Sequence, residues 1–182
     1  MGSLANEWTQ LLGTSSGDEG YSISTSDDGS VYITGNTNGD LDGQTNSGGG
    51  ADAFVSKFDS DGSKQWTQLL GTSQGDYGNS ISTSDDGSVY ITGTTYGDLD
   101  GQTNSGGSAD AFVSKFDSDG SKQWTQLLGT SSYDYGNSIS TADDGSVYIT
   151  GYTSGDLHWQ TNTGGVAYSV VSKFDRGGSK QW

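Results

Sequence analysis

The sequence predicts an all-β fold assembled from tandem copies of one small unit, and three observations predict it. The stretch that opens at Trp8 opens again at Trp66 and Trp124, a period of 58 residues, and Trp182 stands where another copy would open. A fixed period of this size belongs to repeat architectures, whose units bury a shared core by stacking. Apolar residues make up only 29% of the chain, yet they fall in short Val/Ile/Tyr/Phe/Trp runs at the same places in each copy. Such residues suit a pleated, half-buried surface. Finally, 31 Gly and frequent Asn interrupt the chain, too often for the roughly 10–12 residues of an amphipathic helix.

Each copy reads as four strands, shown here for the middle one. Residues 79–84 (NSISTS) form the first and 88–92 (SVYIT) the second, joined by Asp85-Asp86-Gly87. An Asp-Gly step between apolar runs is a hairpin signal. Residues 111–116 (AFVSKF) form the third strand, and Asp117-Ser118-Asp119-Gly120 turns the chain into the fourth, 123–128 (QWTQLL). The second-to-third connection, GTTYGDLDGQTNSGGSAD, is the longest and is polar throughout. The chain is thus a single repeat domain over 1–182, with a leader at 1–7 and repeats at 8–65, 66–123 and 124–181. The opening MGSLANE has the character of an expression leader, not of a signal peptide.

Four hairpin-linked strands in tandem are the layout of a β-propeller blade. The residues also resemble a known family. W-T-Q-L-L-G-T, G-D-Y-G-N-S-I-S, D-D-G-S-V-Y-I-T-G, G-D-L-D-G-Q-T-N-S-G-G and A-F-V-S-K-F-D-S-D-G look like the bacterial SBBP-type β-propeller repeat, and less closely like the NHL repeat. The resemblance covers residues 8–181 and is loosest in the third copy. It implies a propeller blade, a place outside the bacterial cell or on its surface, and no shared catalytic motif.

The ends carry a further expectation. Residues 8–12 form an outermost strand with no blade of their own, and the last copy stops where its outermost strand should begin. Strand exchange between these ends would close a ring and remove a sheet edge. Three blades fall short of the usual 4–8, so a two-fold dimer closing as one six-bladed ring is expected. Copies one and two differ at six positions; copies two and three differ at 14, nine of them between His158 and Gly177. Atypical terminal repeats cap or close an array.

The formal charge is −16, from 21 Asp but only two Glu, Glu7 and Glu19. Such a surface repels phosphate backbones, which argues against nucleic-acid binding, and makes cations its natural partners. No Cys is present, hence no disulfide framework. No apolar run approaches the roughly 20 residues of a membrane span.

Calcium is the cofactor these residues suggest. In the long loop, Asn36, Asn38, Asp40 and Asp42 alternate before Gly43, and Asp98/Asp100 repeat the D-x-D-G spacing. Two carboxylates and a permissive Gly suit a hard cation. The same residues also suit plain turns, because their side chains bond nearby backbone N–H groups. In copy three Asp156 remains, but His158 and Trp159 replace the second Asp and the Gly, which should weaken a site there. Asp59/Asp61, Asp117/Asp119, Asp27/Asp28, Asp85/Asp86 and Asp143/Asp144 read as hairpin residues.

Trp8, Trp66 and Trp124 are expected to fill space between blades, each N–H finding a partner. The aromatics that break the repeat, Tyr96, Tyr133, Tyr152 and Trp159, are the candidates for ligand contact; rim or dimer contacts are the alternative. With one His, no repeated Ser–His–Asp constellation can be assembled. The function expected is therefore a non-enzymatic scaffold or binding module, calcium-stabilised through the Asp loops, with a protein or glycan ligand. The alternatives are a lectin-like module and, behind it, an Asp-based hydrolase.

Overall fold

A computed structural model of the chain describes residues 7–182, so the expected leader lies, up to residue 6, outside the described residues. Eleven strands follow: β1 Asp18–Thr25, β2 Val31–Thr37, β3 Asp52–Phe58, β4 Lys64–Leu70, β5 Asp76–Thr83, β6 Val89–Thr95, β7 Asp110–Phe116, β8 Lys122–Leu128, β9 Asp134–Thr141, β10 Val147–Thr153 and β11 Tyr168–Phe174. They form three antiparallel meanders, β1-β2-β3-β4, β5-β6-β7-β8 and the three-stranded β9-β10-β11. No helix is present among the described residues.

The strands run further than the sequence suggests. The first strand of the second sheet begins at Asp76, not at residue 79, and its partner continues to Thr95 with Gly78 opposite Gly93. These glycines do not end the strands. A side chain at Gly93 would come within 1.8 Å of the Tyr77 carbonyl, so the pair marks a close backbone approach beside the bulge between Gly78 and Ser80.

Sequential sheets pack face to face, and each inner strand packs on the sheet before it. One core layer joins Tyr32, Val55 and Leu70 of the first sheet to Ile81, Ile91 and Phe112 of the second. The next joins Tyr90, Val113 and Leu128 to Ile139, Ile149 and Phe174. Hydroxyls stitch the inner strands together: Ser24 Oγ lies 3.0 Å from Thr83 Oγ1, and Ser82 Oγ lies 2.9 Å from Thr141 Oγ1. The Trp expectation holds, because Trp66 and Trp124 donate across the junction to the carbonyls of Ser118 and Arg176 at 3.1 and 3.2 Å.

The chain does not close on itself, and this corrects one reading. Residues 8–12 form no strand and do not complete the third sheet. Instead Trp8 stacks on Phe58 with centroids 6.4 Å apart, and its Nε1–H reaches the Ser60 carbonyl at 3.2 Å. That hydrogen bond is the equivalent of the one Trp66 makes with the second sheet, so residues 8–12 already lie where the outer strand of a preceding blade would run. They cannot also reach the far end of a three-sheet arc. Two faces stay open as a result. Ile23 is 65% exposed where Ile81 and Ile139 are 5% and 7%, and Val171 is 58% exposed where Val55 and Val113 are 0%.

Candidate functional site

The D-x-D-G loops close through their own backbone. Asp42 and Gly43 have φ of 53° and 76°, and Gln44 N–H bonds the Leu41 carbonyl at 2.9 Å, giving a tight turn with both central residues left-handed. Leu41 is buried beneath the turn. The two carboxylates take different partners. Asp40 Oδ1 accepts the Asn46 N–H at 2.9 Å, while Asp42 pairs with the Lys64 ammonium and the Thr67 hydroxyl on β4. Burial opposes ionisation of Asp42, and those two donors outweigh it, holding its pKa below the usual carboxylate value. Asp98 bonds Asn104 N–H in the same way, and Asp100 pairs with Lys122 and Thr125. These loops therefore fasten to the outer strand of their own sheet.

In the third sheet the same turn is built from His158 and Trp159, with φ of 45° and 64°. Burial, and then the Lys180 ammonium, push the imidazole pKa down. Trp159 is fully exposed. It borders an open groove of about 800 Å³ lined by Tyr168, Val170, Lys180 and Trp182, the space a fourth strand would fill.

Three of the four candidate aromatics converge. Tyr135 stacks on Tyr152 at 4.7 Å and on Tyr133 at 6.4 Å, and its hydroxyl meets that of Tyr96 at 3.1 Å. Tyr96 in turn meets Tyr77 edge-on at 6.2 Å. The hydroxyl contact with Tyr96, then burial, raise the Tyr135 pKa. The result is a band of tyrosines across the second and third sheets, partly open to solvent at Tyr133 and Tyr152. Trp159 stands apart from it. Tyr77 and Tyr135 were not singled out by sequence because copies two and three share them at equivalent positions before a Gly, where copy one has Glu19.

Sequence reading also passed over a set of buried aspartates. Asp52, Asp76 and Asp110 are 0% exposed and Asp134 is 2% exposed. The Asp76 N–H bonds the Ala51 carbonyl at 2.7 Å, and Asp134 bonds Ala109 at 2.8 Å, so each junction between sheets sets two Asp residues side by side. Asp52 Oδ2 accepts Ser47 N–H and Asp76 Oδ2 accepts Thr72 N–H. Burial raises the pKa of Asp52, Asp76 and Asp110, and the opposing carboxylate adds to the rise at Asp76 and Asp110. The available signal was an Asp recurring at the edge of an apolar strand run, where a turn explains nothing.

Repeated four-stranded meanders stacked on their faces define a β-propeller-type repeat protein. The signature of the SBBP β-propeller repeat matches residues 7–42, 65–100 and 123–158, and the chain belongs to that family. It is also similar to the regulatory protein FlaEY of Caulobacter vibrioides, with 30% identity over 148 residues. That match covers 75% of this chain and 16% of the longer protein.

Proposed function

We propose that the chain is a non-enzymatic scaffold and binding module that joins blade to blade with a second copy of itself. One observation carries this reading: the two open faces are the two halves of an interface the chain already makes twice. Ile23, Val31 and Ile33 on one end match the residues that β5 and β6 bury, Ile81, Val89 and Ile91. Tyr148 and Val171 on the other match Tyr32 and Val55. In the pair, β1 of one copy lies over the third sheet of the other, and residues 10–12 extend along β11. By the register of β3 and β4, Leu12 would face Ser169, Leu11 Val170 and Gln10 Val171. Six blades then close one ring, within the usual range. Calcium stabilisation remains part of this proposal, but away from the Asp40 and Asp98 loops, whose carboxylates are held by Asn46, Lys64 and Thr67 and by their repeat equivalents. A place at the bacterial surface also remains part of it, resting on the family resemblance alone.

Light scattering tests it. The expected mass is twice 18.9 kDa, falling to the monomer in Ile23→Asp and in Val171→Asp. A monomeric parent protein, or a dimer unmoved by both changes, would refute the proposal.

The tyrosine band favours a second reading, a lectin-like surface for glycans, since sugar rings stack on aromatic faces beside hydroxyls. A glycan array read with Tyr96→Ala, Tyr135→Ala and Tyr152→Ala checks it. Binding lost in all three supports the reading, and no binding by the parent protein rejects it.

A further inference from the structure

The aspartates at the sheet junctions lack the partners that buried charge requires. A buried carboxylate is normally paired with a cation or fully hydrogen-bonded, because desolvation costs several kcal/mol per ion. Here two carboxylates lie close enough to repel each other at each junction, Asp52 with Asp76 and Asp110 with Asp134. The ion pairs among the described residues, Lys64–Asp42, Lys122–Asp100 and Arg176–Asp86, lie elsewhere. Asp52 and Asp110 each bond a backbone N–H through Oδ2 and leave Oδ1 without any partner. The opposing carboxylates, Asp76 and Asp134, accept the N–H and hydroxyl of Thr72 and of Thr130 through Oδ2, and they too leave Oδ1 buried without a partner.

The backbone makes room for these oxygens. A side chain at Gly71 would come within 2.3 Å of Asp52 Oδ1, and one at Gly129 within 2.2 Å of Asp110 Oδ1. Both glycines have ordinary φ, so the requirement is space and not conformation. The arrangement recurs at both junctions, 58 residues apart, while Asp18 supplies a comparison. It occupies the position of Asp76 but has no carboxylate opposite it. Burial of Asp18 is outweighed by its Thr37 and Thr14 bonds, and its pKa falls below the usual value. The opposing aspartate and deeper burial are what change at Asp76.

We propose that each junction pair, Asp52/Asp76 and Asp110/Asp134, holds a divalent, oxygen-seeking cation of the calcium type between adjacent blades. Calcium accepts mixed carboxylate, carbonyl and water oxygens in flexible geometry. A cation there would neutralise two like charges and tie one blade to the next. The third copy replaces this Asp by Tyr168, so the chain carries two such sites. These sites are distinct from the Asp40 and Asp98 loops, and they do not depend on dimer formation.

The test is calcium titration of chelator-stripped protein at neutral pH by calorimetry, with thermal unfolding alongside. Two equivalents per chain and a calcium-dependent rise in Tm are expected. Asp52→Asn should retain one equivalent and Asp52→Asn/Asp110→Asn none, whereas Asp42→Asn/Asp100→Asn should keep both. The stepwise loss is a readout that general unfolding does not mimic, and Asn preserves the acceptors for Ser47 and Ser105. No calcium uptake by the parent protein would overturn the proposal, leaving the pairs to share protons. Uptake that survives Asp52→Asn/Asp110→Asn but is lost with Asp42→Asn/Asp100→Asn would overturn it too, moving the ion to the exposed loops.

Discussion

Trp159 carries a conformational cost that its two counterparts avoid. It holds φ of 64° where Gly43 and Gly101 hold 76° and 73°, and a left-handed backbone costs a bulky residue about 1–2 kcal/mol. With its ring fully exposed, nothing in the single chain offsets that strain. Trp159→Gly is therefore expected to stabilise the protein by about 1 kcal/mol, read as a rise in the denaturant midpoint at unchanged slope. Asp42→Asn should act the other way. It keeps a turn residue tolerant of positive φ and loses the Lys64 pair, costing about 1 kcal/mol for a contact only partly shielded from water. The D-G turns were legible in the sequence because Asp-Gly steps have few uses. Whether the preceding carboxylate would meet a metal, a lysine or a backbone amide was not, since that depends on β4 passing beneath the loop.

The hairpins and the junction aspartates give opposite responses to acid. The Ser26 hydroxyl and Ser30 N–H hold Asp28 down at about 2. At Asp86 burial is outweighed by Ser84 and Ser88, again giving about 2. A lowered folded-state pKa contributes stability above the unfolded value, and that stability disappears as pH falls toward 2. Asp52, Asp76 and Asp110 are raised above 3.8, so their contribution is favourable at low pH and lost as pH rises through their folded values. In chelator, Tm should first climb on acidification from neutrality and then fall toward pH 2, a maximum visible by calorimetry; a monotonic fall would contradict the burial of these pairs. At the same junctions, Gly71→Ala drives a methyl into the Asp52 carboxylate and should cost about 1–3 kcal/mol by chemical denaturation. The strands themselves were legible from apolar runs between turns. Their ends were not, because Gly78 and Gly93 read as breaks in the sequence but serve as close contacts inside the sheet.

For the whole molecule, the repeat period made the number of sheets and their order readable at once, and it marked the third copy as the unusual one. Closure was harder to read, because an unpaired outer strand says what is missing and not what supplies it. In the proposed dimer the open faces at Ile23 and Val171 would join molecules that each carry −16, so association would work against charge repulsion. Salt screens such repulsion over about 8–10 Å at physiological strength. The dimer fraction should rise as salt is increased from low ionic strength, measured by sedimentation equilibrium; a fraction falling with salt would point to ion pairs and not to the apolar faces.

The sequence unit and the spatial unit are out of step. The segment that opens each copy at Trp66 or Trp124 lies in the sheet built by the copy before it, and only afterwards does the chain begin its own inner strand. Every internal boundary between copies is therefore also a hydrogen-bonded sheet. Inserting or deleting one 58-residue copy between Trp8 and Trp124 would rebuild the same boundary from the same residues. Blade number is thus a property that recombination can change in single steps without any residue having to be altered.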